Sequence, residues 1–168
     1  MIKKVSVILA DITTLGVDAI VNAANEGMAG GGGVDGAIHK AAGPELVEET
    51  VKYAPLYVAK TVVTSGYNLK AKNIIHTVGP IYRQGNSGEY IALEMCYRNV
   101  IKKAAEIGAE SLAIPAISAG VYGFPRQRAA KIAVETCLDE VDKHKSIKEI
   151  LLVAYDPEML NAYKKYLS

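Results

Sequence analysis

Short β-branched runs alternate along the chain with longer stretches of helical periodicity, and this alternation limits the fold more than any other feature. Strands joined by helices build a largely parallel or mixed sheet with both faces covered. Strands are expected at Val5 to Ala10, Ala19 to Val21, Thr61 to Thr64, Ile74 to Val78, Ser111 to Pro115 and Glu149 to Ala154. Helices are expected over Asp35 to Ala42, Pro44 to Tyr53, Tyr90 to Glu106, Pro125 to Val141 and Pro157 to Tyr166. Three of them open at proline, whose fixed φ suits a first helical turn and whose missing N–H is not needed there. The 168 residues are expected to form one domain, 1–168, with core enough to need no disulfide or metal staple.

Chemistry concentrates between the second strand and the first helix. Val21-Asn22-Ala23-Ala24-Asn25 leads into the run Gly30 to Gly33, and Val34-Asp35-Gly36-Ala37-Ile38-His39 opens the helix. Consecutive glycines let the backbone adopt positive φ and press its N–H groups against an anion, and the helix N-terminus behind them adds its dipole. Asp35 and His39 are four residues apart and share one helix face. A second strand-to-helix junction, Ser118-Ala119-Gly120-Val121-Tyr122-Gly123, repeats the theme. In sheets of this class such loops gather beyond the carboxyl ends of the strands. Two of them facing each other would hold a diphosphate with backbone amides, as a net charge of only +1 requires.

Each residue also has a plainer reading. Asp35 suits a helix cap, a role worth about 0.5–2 kcal/mol. Asn22 and Asn25 suit a turn after the strand, and His39 suits the surface or a place beside Asp35. His76, inside an apolar strand, reads as a core histidine bonded to backbone, and the three histidines have no zinc spacing. Gathered around one glycine cradle, the polar groups point to a site.

Other classes fit less well. Gly31, Gly33 and Gly36 match a dinucleotide-binding glycine pattern, but Asn22 to Ala29 separate it from the strand end. No Gly-Lys-Ser/Thr follows any glycine run, which excludes a Walker loop. Ser118 lies near a nucleophile-elbow position, with His144 its only downstream histidine, in a polar stretch that reads as a solvated turn. Cys96 and Cys137 lie in no CxxC pair and read as reduced thiols, which suggests the cytoplasm. Lys3-Lys4 and the apolar run after them are too short for a signal peptide, and no segment approaches the ~20 apolar residues of a membrane span. The interspersed charges leave no footprint for duplex nucleic acid or an anionic membrane.

The chain resembles the macrodomain family, and within it the MacroD-type ADP-ribosyl hydrolases. The matching pieces are Asp11-Ile12-Thr13, Val17 to Asn25, Gly30 to His39 with Ala41-Ala42-Gly43-Pro44, Ile75-His76-Thr77-Val78-Gly79-Pro80, and Ile117 to Pro125. The resemblance implies a three-layer α/β/α sandwich with a central mixed, largely parallel sheet. It also implies an ADP-ribose cleft over the strand ends. Asp11 and Ile12 would meet the adenine, with Tyr155 stacked near it. Gly31, Gly32, Gly33 and Val34 would wrap the diphosphate with Ser118, Ala119, Gly120, Val121 and Tyr122. Asn22 and Ala23 would line the ligand, Asn25 would contact the distal ribose, and Tyr122 would pack against it.

Asn25, Asp35 and His39 would be catalytic in this resemblance, with no cofactor and no metal. The implied reactions are removal of mono-ADP-ribose from acidic side chains of proteins and deacetylation of O-acetyl-ADP-ribose. The alternative is a reader that binds ADP-ribose without cleaving anything. Two residues depart from the family pattern: Ala10 stands where glycine is usual, and Ala119 replaces a threonine common in this branch.

Overall fold

In the computed structural model, which describes residues 4–168, six strands form one sheet. They are β1 (Val5–Leu9), β2 (Ala19–Ala24), β3 (Thr61–Ser65), β4 (Asn73–Val78), β5 (Ser111–Pro115) and β6 (Glu149–Ala154), in the order β1-β6-β5-β2-β4-β3. Every neighbouring pair is parallel except β3 with β4. Lys3, read above with Lys4 as preceding the first strand, lies outside the described residues.

Alternating side chains feed two cores. On one face Ile20, Ile74, Ala113 and Val153 pack against Ile38 and Ala42 of α1 (Gly33–Ala42) and Leu46 of α2 (Pro44–Thr50). On the other, Val21, Ile75, Leu112, Ile114 and Leu152 meet three helices: α3 (Glu89–Glu106), α4 (Arg126–Val141) and α5 (Pro157–Leu167). The sheet is thus buried on both faces, which is why its inner strands read as near-continuous apolar runs. The result is the expected α/β/α sandwich with a mixed sheet. No helix among the described residues is long and apolar enough to cross a membrane.

Three differences from the expected elements have local causes. Strand β2 continues past Val21 to Ala24, and Asn22 pairs in register with His76 of β4. A polar residue does not end the strand there because its side chain finds polar partners inside the protein. Helix α2 stops at Thr50 and finishes in a 3-10 turn, Val51–Tyr53, because Pro55 forces Ala54 into an extended conformation. Helix α1 starts at Gly33 with Gly32 as its cap, so Asp35 lies in the first turn and does not cap the helix.

The topology places a crevice. From β2 the chain proceeds to β3 and β4 on one side of the sheet, and from β5 it proceeds to β6 on the other. Where neighbouring strands send their connections apart, the loops separate and leave room for a ligand. Asp18 fixes the opposite end of the same strand pair. Its carboxylate accepts from the Glu110 N–H at 2.8 Å and the Ser111 N–H at 3.3 Å, while its own N–H donates to Ser111 Oγ at 2.8 Å. The Glu110 N–H, foremost among these donors, holds Asp18 below its ordinary pKa.

Candidate active site

A cleft of about 920 Å³ runs across the carboxyl ends of the parallel strands, within the range for small-molecule sites. Four strand exits line it. Leu9 to Ile12 come from the end of β1, Ala23 to Asn25 close β2, Pro115, Ala116, Ser118 and Gly120 to Tyr122 come from the end of β5, and Val153 and Tyr155 to Pro157 from that of β6. The start of α1, from Gly32 to Asp35, closes one wall.

Two backbone turns at the cleft leave amides without a backbone acceptor among the described residues. At α1 the helical ladder begins with Gly36 N–H donating to the Gly32 carbonyl at 3.1 Å, so the amides of Gly33, Val34 and Asp35 remain at an open helix N-terminus. Across the cleft the loop after β5 is a tight turn. Gly123 N–H donates to the Gly120 carbonyl at 2.9 Å and Phe124 N–H to the Ser118 carbonyl at 2.9 Å. Among the described residues, the amides of Gly120, Val121 and Tyr122 have no backbone acceptor. Tyr82 N–H donates to the Tyr122 carbonyl at 2.8 Å, tying this turn to the loop after β4. Glu89 in turn shapes that loop by accepting from the N–H groups of Arg83, Gly85 and Ser87.

The carboxylate stands where the α1 cradle meets β2. Asp35 is buried, and its Oδ1 accepts from Asn22 Nδ2 at 2.8 Å and lies 3.4 Å from His39 Nε2. Its Oδ2 has no partner among the described residues. Gly31 makes this arrangement possible. A Cβ there would sit 3.1 Å from Asn25 Nδ2 and 3.2 Å from Asp35 Oδ2, so only glycine leaves the space between the two side chains clear. Asn25 pins the same loop, donating from Nδ2 to the Gly30 carbonyl at 3.0 Å and accepting the Met28 N–H at 3.2 Å. Its turn-stabilising role and its place on the cleft wall therefore coexist.

The far end is built for a flat, apolar group. Tyr155 is 54% exposed beside the Arg126 guanidinium, whose carbon lies 5.7 Å from the ring centre. That guanidinium also pairs with Asp156 and Glu158. Val121 is 98% exposed at the cleft, an apolar side chain without protein cover. Asp11 Oδ1 accepts from the N–H and hydroxyl of Thr13 and caps the 3-10 turn Ile12–Thr14, which the sequence had not suggested. Burial first, then the charges of Glu26 and Asp35, push the Tyr122 hydroxyl above its ordinary pKa.

Of the residues singled out from sequence, Asp11, Ile12, Ala23, Asn25, Gly32, Gly33, Val34, Asp35, Ser118, Gly120, Val121, Tyr122 and Tyr155 line the cleft together. Asn22 does not; it lies fully buried behind Asp35. Gly31, exposed on its loop, and His39 and Ala119 are also outside the lining. Ala10 keeps an ordinary negative φ and its N–H extends the pairing of β1 with β6, so alanine fits there without strain. His76 bonds to side chains, Asn22 and Thr64, and not to backbone. Sequence reasoning passed over Gly79, which lines the cleft where a Cβ would collide with Ser118 Oγ and Ile117. A glycine directly after a strand was the available signal.

Ser118 is not poised as a nucleophile. Its hydroxyl is buried and donates to the Pro80 carbonyl at 2.7 Å, and His144 pairs instead with Glu140 at 2.7 Å. Ser118→Ala is expected to cost about 1 kcal/mol of stability, one hydrogen bond's worth, and to leave ester hydrolysis intact. Thermal unfolding and a rate assay on the same preparation check both halves.

Comparison with known proteins agrees with this geometry. Residues 21–133 match the sequence profile of the Macro domain family. A protein of Escherichia fergusonii named O-acetyl-ADP-ribose deacetylase is 46% identical over 172 aligned positions, covering 100% of this chain and 97% of its own. The Oceanobacillus iheyensis macrodomain solved with ADP superposes with a TM-score of 0.89 at 36% identity, covering 97% of this chain and 89% of that one. A Trypanosoma brucei macrodomain in complex with ADP-ribose gives 0.92 at 32% identity, covering 98% and 69%.

Proposed function

This chain belongs to the Macro domain family, and from that premise we propose that it is an ADP-ribose-binding hydrolase that deacetylates O-acetyl-ADP-ribose and releases mono-ADP-ribose from acidic side chains of proteins. The adenine would lie against Ile12 and Tyr155, with Asp11 accepting from its amino group. The diphosphate would sit between the amides of Gly32 to Val34 and those of Gly120 to Tyr122, reaching toward Asn25, Tyr122 and Asp35 with the distal ribose.

The observation that carries the hydrolytic reading is the state of Asp35. One carboxylate oxygen is held by Asn22 and His39, while the other is unpartnered beside the glycine loop. A carboxylate fixed by one oxygen presents the second to a water and orients it. That water would attack the ester carbonyl or the anomeric carbon while Asp35 takes up its proton. After attack on the carbonyl, Asp35 would return the proton to the departing sugar oxygen, giving acid and alcohol; after attack on the anomeric carbon, the ester's carboxylate would leave as the anion, and no covalent enzyme intermediate is needed. Binding energy from the diphosphate and adenine would be spent on holding the scissile bond against this water.

The deciding experiment pairs a calorimetric titration of ADP-ribose with assays on O-acetyl-ADP-ribose and on a glutamate-linked mono-ADP-ribosylated protein. Binding with release of acetate and ADP-ribose supports the hydrolase; binding with both substrates intact makes the protein a reader. Hydrolysis is expected to proceed at an unchanged rate in excess chelator, because the water is activated by Asp35. Loss of the rate on chelation, restored by a divalent cation, overturns that part of the reading.

A further inference from the structure

We propose that His76 is a positioning residue for this hydrolysis: by accepting from the Asn22 NH2 group within a buried hydrogen-bond chain, it fixes which end of the Asn22 carboxamide faces Asp35, and so holds the carboxylate's aim. The inference rests on the reading of Asp35 as the group that orients water.

Asn22 and His76 are register partners on β2 and β4, and both are fully buried. Asn22 Nδ2 lies 2.8 Å from Asp35 Oδ1 and 3.1 Å from His76 Nδ1. On its other side His76 Nε2 lies 2.9 Å from Thr64 Oγ1, which is 3.1 Å from the Ser65 carbonyl. Only one proton arrangement satisfies all four contacts. An ionised carboxylate only accepts, so the Asn22 amide must turn its NH2 group toward Asp35. The same nitrogen faces His76 Nδ1, which must then carry a lone pair. The imidazole proton therefore sits on Nε2 and goes to Thr64 Oγ1, whose own proton goes to the Ser65 carbonyl. Asn22 thus donates to both neighbours, and His76 and Thr64 each accept on one side and donate on the other, so the direction set at the carboxamide is enforced outward to Ser65.

Two further observations support the lock. Asn22 Oδ1 is buried with no partner among the described residues, a cost the amide bears to keep its NH2 group on Asp35 and His76. Turning over would set its oxygen against both the Asp35 carboxylate and the His76 lone pair. Burial, with His39 nearby, also holds the His76 pKa down at about 3, so the ring keeps that lone pair at neutral pH. The restraint matters because Oδ1 is the oxygen that His39 also approaches, and fixing it leaves Oδ2, buried beside Gly31, as the oxygen without a partner.

The test begins with the wild-type chain labelled with nitrogen-15 in histidine. Long-range proton–nitrogen spectra are expected to show His76 as the Nε2–H tautomer; an Nδ1–H tautomer overturns the proposal without any variant. Two substitutions then separate positioning from packing. His76→Phe keeps the ring and removes the acceptor, and is expected to lower kcat roughly ten- to a hundredfold while the ADP-ribose Kd stays unchanged. His76→Asn places a carbonyl oxygen where Nδ1 stood and is expected to recover most of kcat, despite leaving a hole in the core. A merely structural histidine gives the opposite order, with kcat following stability. Asp35→Asn is measured alongside: full activity there overturns the reading of the site itself. An inactive Asp35→Asn beside a fully active His76→Phe overturns only the relay.

Discussion

Asp35→Ala is expected to lower kcat for O-acetyl-ADP-ribose hydrolysis by roughly a hundred- to ten-thousandfold, the usual contribution of a positioned acid–base group, with ADP-ribose binding retained. The separation follows from where the side chain points. Asp35 Oδ1 is occupied by Asn22 and His39, and only Oδ2 is left for water, so removing the carboxylate takes nothing from the amide cradles. Asp35→Asn has nearly the same shape and is expected to fall almost as far. A carboxamide has one donor end; aimed at Asn22 it meets another NH2 group, and aimed at the cleft it offers water a proton in place of an acceptor. Single-turnover rates and calorimetry on the three proteins check this. A wild-type rate in the alanine variant would remove Asp35 from the mechanism.

Gly36→Ala is expected to act on binding, and against intrinsic helix preference. Gly36 lies in the interior of α1, where alanine is ordinarily the better residue by about 1 kcal/mol. Here, however, a Cβ would fall inside the contact distance of the Gly31 carbonyl oxygen, which is backbone and has no rotamer to escape into. The glycine loop must shift, and with it the clearance at Gly31 that lets Asn25 and Asp35 stand together. Overpacking of this kind costs about 1–3 kcal/mol. Spent on displacing the loop, that amounts to a roughly ten- to hundredfold rise in the ADP-ribose Kd. The loss is expected with little change in thermal stability, because the gain in helix preference offsets part of the strain. A variant that binds normally would show that the loop does not carry the ligand.

The layered fold was legible because its signals are local. β5 and β6 lie inside the sheet and so read as near-continuous apolar runs, and proline marks the starts of α2 and α5 within a residue. The glycine loops were legible for the same reason, since the backbone conformations they permit are written in consecutive residues. What remained hidden depends on partners distant in sequence. Asn22 looked like a turn residue because nothing nearby shows that His76, 54 positions later, stands beside it in the sheet. Ser118 kept a weak nucleophile reading because the Pro80 carbonyl that takes its proton is 38 positions earlier. Asp35, read as catalytic, kept a helix cap as its plainer alternative, and the packing of α1 against β2 is what turns it inward. The sequence thus pointed to the residues of the site, while which atom of each is free depended on tertiary contacts.

The paired turns at Gly32 to Val34 and Gly120 to Tyr122 carry a consequence for selectivity inside a crowded cell. Peptide dipoles hold a negative group without adding a positive charge to the surface, and the chain stays close to electrical neutrality at +1. On the proposed reading, nucleic acids and other polyanions, drawn to lysine-rich patches over long distances, would find little net field here to follow. Discrimination would fall to shape at short range: a small nucleotide that can enter the crevice would be gripped, and a bulky polymer of the same charge would be passed over.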